Sequence, residues 1–133
     1  MKKTVLLSAL LLASTSAVAA TDHYVLRDGS HVHHLKVTNV SNEVHISADV
    51  DFEPNASEKD AKPCSGEISG EAKTTTATEI VFKKHSETEA GFCELKITLS
   101  PNGAKVEQSK DCENFAPGIC HFDSDGKELI KVK

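Results

Sequence analysis

The chain has 133 residues, with 15 Lys and Arg against 20 Asp and Glu, a formal net charge of −5 with histidines neutral. That length suits one small domain and not two. The acid excess argues against a nucleic-acid partner, whose phosphates call for a basic surface.

Lys2 and Lys3 open the chain, residues 5–13 form an apolar run, and Ala17, Val18, Ala19 and Ala20 supply small residues after it. This is the pattern of a Sec-type secretory signal. Residues 1–20 are therefore expected to be cleaved, after Ala19 or Ala20, leaving residues 21–133 as a single domain. Loss of Lys2 and Lys3 takes the charge from −5 to −7. No cysteine follows the apolar run to carry a lipid, and no later stretch reaches the roughly 18 apolar residues of a membrane span. The expected location is the periplasm or the extracellular medium, without membrane insertion.

Period-2 alternation then recurs along the chain, the mark of strands with one buried face. Residues 32–38 read as a strand with Leu35 and Val37 inward, followed by a turn at residues 39–42. In residues 44–52, Val44, Ile46, Ala48, Val50 and Phe52 alternate with His45, Ser47, Asp49 and Asp51. Residues 54–63 read as a polar loop. In residues 64–73 the inward positions are Cys64, Gly66, Ile68, Gly70 and Ala72, small side chains that suggest a tightly curved strand. Residues 78–84 form another strand and residues 84–91 a loop. Cys93, Leu95, Ile97 and Leu99 face inward on the next strand, and Val106 anchors its successor. Residues 119–122 and 129–132 are short strand candidates separated by the turn sequence Asp123-Ser124-Asp125-Gly126. The fold class predicted is all-β: one small antiparallel β-sandwich or barrel of about seven to eight strands.

Four cysteines in an exported chain of this size read as two disulfides. Asn102-Gly103 is a favoured type I′ hairpin pair. With those two residues at the turn, Leu99 faces Val106 and Cys93 faces Cys112. The favoured pairing is Cys93–Cys112, with Cys64–Cys120 left by elimination. The rival pairing, 64 with 93 and 112 with 120, is chemically open because Pro117 and Gly118 lie between Cys112 and Cys120.

Seven histidines invite a metal reading. On a strand, His31 and His33 share a face while His34 points away, so the three do not form one site. His45 lies on the polar face with Asp49 and Asp51, and His34 from the neighbouring strand is a candidate to join it around copper or zinc. Cleavage after Ala20 would also expose Thr21-Asp22-His23, whose terminal amine, two amide nitrogens and imidazole suit square-planar Cu(II). Asp123-Ser124-Asp125-Gly126 lacks the remaining ligands of a calcium loop and reads as a turn. There is no nucleophile elbow and no glycine-rich phosphate loop, so no enzyme is expected.

The stretch from Cys64 to Gly126 resembles a group of small exported bacterial domains, some of them lysozyme-inhibitor-like. The resemblance rests on Ser65-Gly66-Glu67-Ile68-Ser69-Gly70-Glu71-Ala72, on Cys93-Glu94-Leu95-Lys96-Ile97 leading to Val106, and on Cys112, Phe115, Gly118, Cys120 and Phe122 before Gly126. It implies a stapled β domain that binds another protein. No inhibitory residue is carried over, because the serine-glycine-tyrosine loop of periplasmic lysozyme inhibitors is not matched and the only tyrosine is Tyr24. The acidic balance favours a cationic protein such as lysozyme as partner. The contact surface is expected at the polar loops 54–63, 84–91 and 113–118, with Phe115 as apolar anchor beside Glu113 and Asn114. The alternative is a copper or zinc binder using His23, or His34 with His45.

Overall fold

A computed structural model of the chain describes residues 20–54, 62–85, 91–116 and 120–132; the segment expected to be a secretory signal, but for Ala20, lies outside them. Eight strands follow in order: β1 (Ala20–Asp28), β2 (His31–Val40), β3 (Glu43–Phe52), β4 (Cys64–Thr76), β5 (Glu79–His85), β6 (Phe92–Ser100), β7 (Gly103–Gln108) and β8 (Leu129–Val132). Each pairs antiparallel with the next, and β8 pairs with β1, so the sheet closes into a barrel. Of the two predicted architectures, this is the barrel.

The alternation read from the sequence is what fills it. Leu35 and Val37, then Ile46, Ala48, Val50 and Phe52, then Ile68, Ile80, Phe82, Leu95, Ile97, Val106 and Leu129 are all buried. An eight-stranded barrel has an interior just wide enough for side chains, and here aliphatic and aromatic groups pack it. Each fully buried Leu, Ile or Phe contributes about 1.5–3 kcal/mol of transfer free energy. The small inward residues of β4 have two separate reasons. At Gly70 a Cβ would lie 3.0 Å from the Phe82 ring, which occupies the space. At Gly66 a Cβ would lie 2.5 Å from that of Ala116, whose segment crosses the barrel end there.

Three features differ from the sequence reading. The first is β1, which alternation did not mark. Its inward positions facing β2 include Asp22 and Asp28 as well as Tyr24 and Leu26, so the apolar signal is broken at both ends.

The second is the β6–β7 register. Ser100 pairs with Gly103, Leu99 with Ala104 and Ile97 with Val106, two residues away from the predicted alignment. The turn residues are Pro101 and Asn102. Proline fixes φ near −65°, which suits the first central position of an ordinary turn, so the loop forms one residue earlier than an Asn-Gly turn would. Gly103 is instead required by crowding: a Cβ there would sit 2.6 Å from the Leu129 carbonyl oxygen and 2.5 Å from the Glu128 side chain. Both favoured disulfides, Cys93–Cys112 and Cys64–Cys120, are present nonetheless. Cys112 reaches Cys93 because β7 ends at Gln108 and a 3₁₀ turn (Lys110–Asn114) folds back over β6. Ser109 fastens that turn: its N–H donates to the Glu94 carbonyl at 2.9 Å, and its Oγ accepts from the Glu94 N–H at 2.9 Å.

The third is the segment expected as a strand at 119–122. Residues 120–122 are not a strand. Side chains take over the ladder instead. Gln108 Oε1 accepts from the N–H groups of Phe122 and Asp123, at 2.6 and 3.3 Å. Ser124, 2 % exposed, accepts the Val106 N–H on its Oγ at 3.0 Å and donates its own N–H to the Val106 carbonyl at 2.9 Å. The polar Gln108 on an inward position is thereby satisfied.

Gly103→Ala is expected to cost about 1–3 kcal/mol by overpacking, and to raise amide exchange in β8 before it rises in β3 or β6. Denaturant unfolding and hydrogen exchange by NMR check both parts; uniform exchange across the barrel would contradict this account of Gly103.

Candidate functional site

Two places on the barrel bring chemistry-bearing side chains together. The first begins on the outward face of β3 and β4. In the β2–β4 register His34 lies opposite Asp49, Asp49 opposite Glu67, and Asp51 opposite Ser65. Two carboxylates facing each other across a ladder destabilise it by a few tenths of a kcal/mol, up to about 1. None of Asp49, Asp51 and Glu67 has a cation within ion-pair distance among the described residues. The opposite wall of the barrel is arranged differently. There Lys96 lies 3.5 Å from Glu79 and 3.9 Å from Glu107, and Lys83 lies 3.8 Å from Glu94.

The unpaired carboxylates border a recess. Asp49, Asp51, Ser65, Gly66, Glu67 and Phe115 line a hollow of about 340 Å³. Phe115 follows the 3₁₀ turn, held by its N–H donating to the Cys112 carbonyl at 2.9 Å, so the Cys93–Cys112 disulfide fixes its position. It is half-buried, one side against the core and one on the recess. Glu113 and Asn114 are exposed on the same turn. Of the three loops expected to carry contact, residues 55–61, 86–90 and 117–119 lie outside the described residues.

The second place is the open end of the barrel near Phe52. His31 and His33 share the inward face of β2, as alternation predicted, and His121 joins them from the segment before β8. Ring centroids are separated by 6.4 Å for His31 and His33, 6.2 Å for His31 and His121, and 6.1 Å for His33 and His121. His31 also stacks on Phe52 at 4.5 Å. His121 Nδ1 lies 2.9 Å from the Asp123 carbonyl oxygen and must donate to it, and its Nε2 lies 3.6 Å from Asp125. His33 is 5 % exposed, and its basicity is held below the usual histidine value, first by burial and then by repulsion from His121 and His31; Asp125 and Asp28 pull the other way. The sequence hid this group because His121 stands 88 positions after His33, and no local pattern ties the two.

The histidines singled out for metal are placed otherwise. His23 and His34 meet, Nε2 to Nδ1 at 3.1 Å, on the outer face. His23 is shifted down by partial burial, then by His34 and Lys36. His45 does not join them. It sits opposite Thr38, four residues and roughly 13 Å along the strand from the position opposite His34, and leans on Glu43 at 3.5 Å. The amino-terminal copper arrangement is opposed by the ladder, since Asp22 and His23 are paired with Val37 and Lys36 of β2. Successive amides of a strand point to opposite neighbours, and wrapping a metal would pull both out of line.

Among the described residues, no three His, Cys, Asp or Glu side chains are grouped so that they could hold a metal ion, and no helix is long and apolar enough to cross a membrane. Compared with protein-family models, curated proteins and solved structures, the chain matches none.

The lowered basicity of His33 has a defined pH consequence. Above pH ~6.5 the imidazole is neutral in folded and unfolded chains and stability is unaffected. As pH falls below that value the unfolded chain takes up the proton first, so stability declines until the depressed native value is passed. In chelator-treated protein, the thermal midpoint should fall between pH 7.5 and 5.5, and His33→Gln should flatten part of that slope. Parallel slopes in the two proteins would refute the assignment.

Proposed function

We propose that this chain is an exported, disulfide-stapled binding module that performs no chemistry itself and holds a cationic protein at the Phe115 recess. The observation that carries the reading is the opposition of Asp49 and Glu67 beside Phe115, without a cation among the described residues. A fold gains nothing from like charges facing each other, and a lysine or arginine supplied by a partner relieves the repulsion while the Phe115 ring offers apolar contact. The secretory pattern in residues 1–20 and the two disulfides support an oxidising location, in the periplasm or outside the cell. Lysozyme, small, strongly basic and present where exported bacterial proteins meet a host, is the partner to test first.

Calorimetric titration of hen lysozyme into the oxidised protein at low ionic strength should show binding that weakens at least tenfold at ~0.3 M salt, because exposed charges are screened beyond a few ångströms there. Asp49→Asn with Glu67→Gln should weaken binding by about tenfold while raising the thermal midpoint slightly. Phe115→Ala should weaken it without changing the salt slope. Absence of binding at low salt removes lysozyme, and binding unaffected by the double variant removes the recess.

A further inference from the structure

We infer that the Phe115 recess captures its partner by strand addition: an extended segment carrying a lysine or arginine pairs antiparallel with the open edge of β4 over residues 65–69. The inference rests on the recess being the binding site and says how the partner is held there.

Three observations carry it. The first is a ladder that stops. β4 has 13 residues. On one side it pairs with β3 without a break from Cys64 to Ala72, whereas on the other it pairs with β5 only from Ala72 to Thr76. The strands part beside Gly70, whose φ of +156° is one that residues with a side chain rarely adopt. From Gly70 back to Cys64, β4 has no backbone partner on the β5 side among the described residues.

The second is which groups this leaves open. The Lys84 ammonium of β5 donates to the Ser69 carbonyl at 3.2 Å, so the Ser69 backbone faces the gap. Backbone groups alternate along a strand, and the N–H and C=O of Ser65 and Glu67 therefore face it too. All three residues are exposed. Among the described residues, one flexible lysine is all that these groups bond to on that side. An edge of this kind is a template for another strand, and main-chain pairing is a recurring way of binding a peptide.

The third is what stands along the edge. Glu67 lies on it with Asp49 opposite on β3, and Phe115 lines the recess together with Ser65. Where the strands part, a second hollow of about 340 Å³ is bordered by Glu71, Ala72, Lys73, Thr75, Val81 and Lys83. The edge from Ser65 to Glu71 joins the two hollows over roughly 20 Å, at about 3.3 Å per residue.

These neighbours specify the segment. A residue opposite Glu67 has its side chain on the outer face, so a lysine or arginine there meets Glu67 and its length carries the charge toward Asp49. The outer residue opposite Ser65 brings an apolar side chain to the Phe115 ring. The residue between them points inward beside Gly66, where Ala116 already fills the space, and a small one fits. The β4 edge of a second copy does not meet these terms, because it would set its own Glu67 among the carboxylates.

The test uses the oxidised, isotope-labelled protein and a capped heptapeptide, Thr-Val-Ala-Arg-Ala-Val-Thr. By NMR, the peptide should slow amide exchange at Ser65, Glu67 and Ser69. N-methylation of its arginine and valines, whose amides face β4 in an antiparallel pair, should weaken binding at least tenfold. N-methylation of its alanines, whose amides face away, should leave binding like that of the parent peptide. Ser69→Pro removes a donor from the open side and spares the β3 ladder, Asp49, Glu67 and Phe115; it should weaken binding at least threefold without changing the salt slope. The methylated peptides need no variant to fold. Equal binding of the two methylated peptides, or binding without added protection at the three amides, overturns strand addition. If Asp49→Asn with Glu67→Gln still weakens the peptide in that case, the recess stands and only the mode of capture falls. Absence of peptide binding overturns it as well, while lysozyme binding lost in that double variant would keep the recess. Protection of the same amides that grows with the concentration of the protein alone makes a second copy the occupant and overturns it.

Discussion

Everything described above depends on four residues at the end of the chain. β8 closes the barrel through two residue pairs with β7 and three with β1, the shortest ladders in the molecule. Ladders that short hold only if the strand is delivered to them already positioned. Cys120, bonded to Cys64 on β4, anchors the segment at one end of its path, and Ser124 clamps it to Val106 on β7 a few residues later. Ser124 Oγ and Asp123 Oδ2 then accept the Val106 and Gln108 N–H groups, and Gln108 Oε1 accepts those of Phe122 and Asp123, so β7 keeps its hydrogen bonds where β8 does not reach. The core packs because this segment is held, and Phe115 and His121 stand where they do for the same reason.

The central strands were legible because their chemistry is uniform. In β3 and β6 every inward position is apolar, and a period of two leaves no alternative. β1 was not legible because acids occupy inward positions at both its ends and its first residue lies within the signal region. At the β6–β7 turn the Asn-Gly pair points to a loop one residue later than the one that forms. Pro101 carries its own φ restriction, and Gly103 answers to the approach of β8, a long-range cause that local sequence does not display. Cys93 and Cys112 pair despite the shifted register because the 3₁₀ turn brings Cys112 to Cys93 by another path.

The candidate sites divide in the same way. Alternation alone placed Asp49 and Asp51 on a solvent face and His31 beside His33. What it could not supply was which of them meet, Glu67 opposite Asp49 beside Phe115 in one case and His121 with His31 and His33 in the other, since those neighbours are fixed only when the barrel closes. His34 and His45, both on the outer wall, were separated by register instead of direction: facing the same side of a sheet does not make two residues neighbours.

The Cys64–Cys120 bond spans 56 residues of sequence and secures the strand that completes the ring. Without that tether β8 would be held only by its short ladders and the Ser124 clamp, and its release would leave β1 and β7 as edges with unpaired amides and carbonyls. Such edges are templates for pairing with other chains. The bond thus bears on assembly as well as stability: while it holds the segment before β8 in place, the cylinder has no edge to offer at β1 or β7.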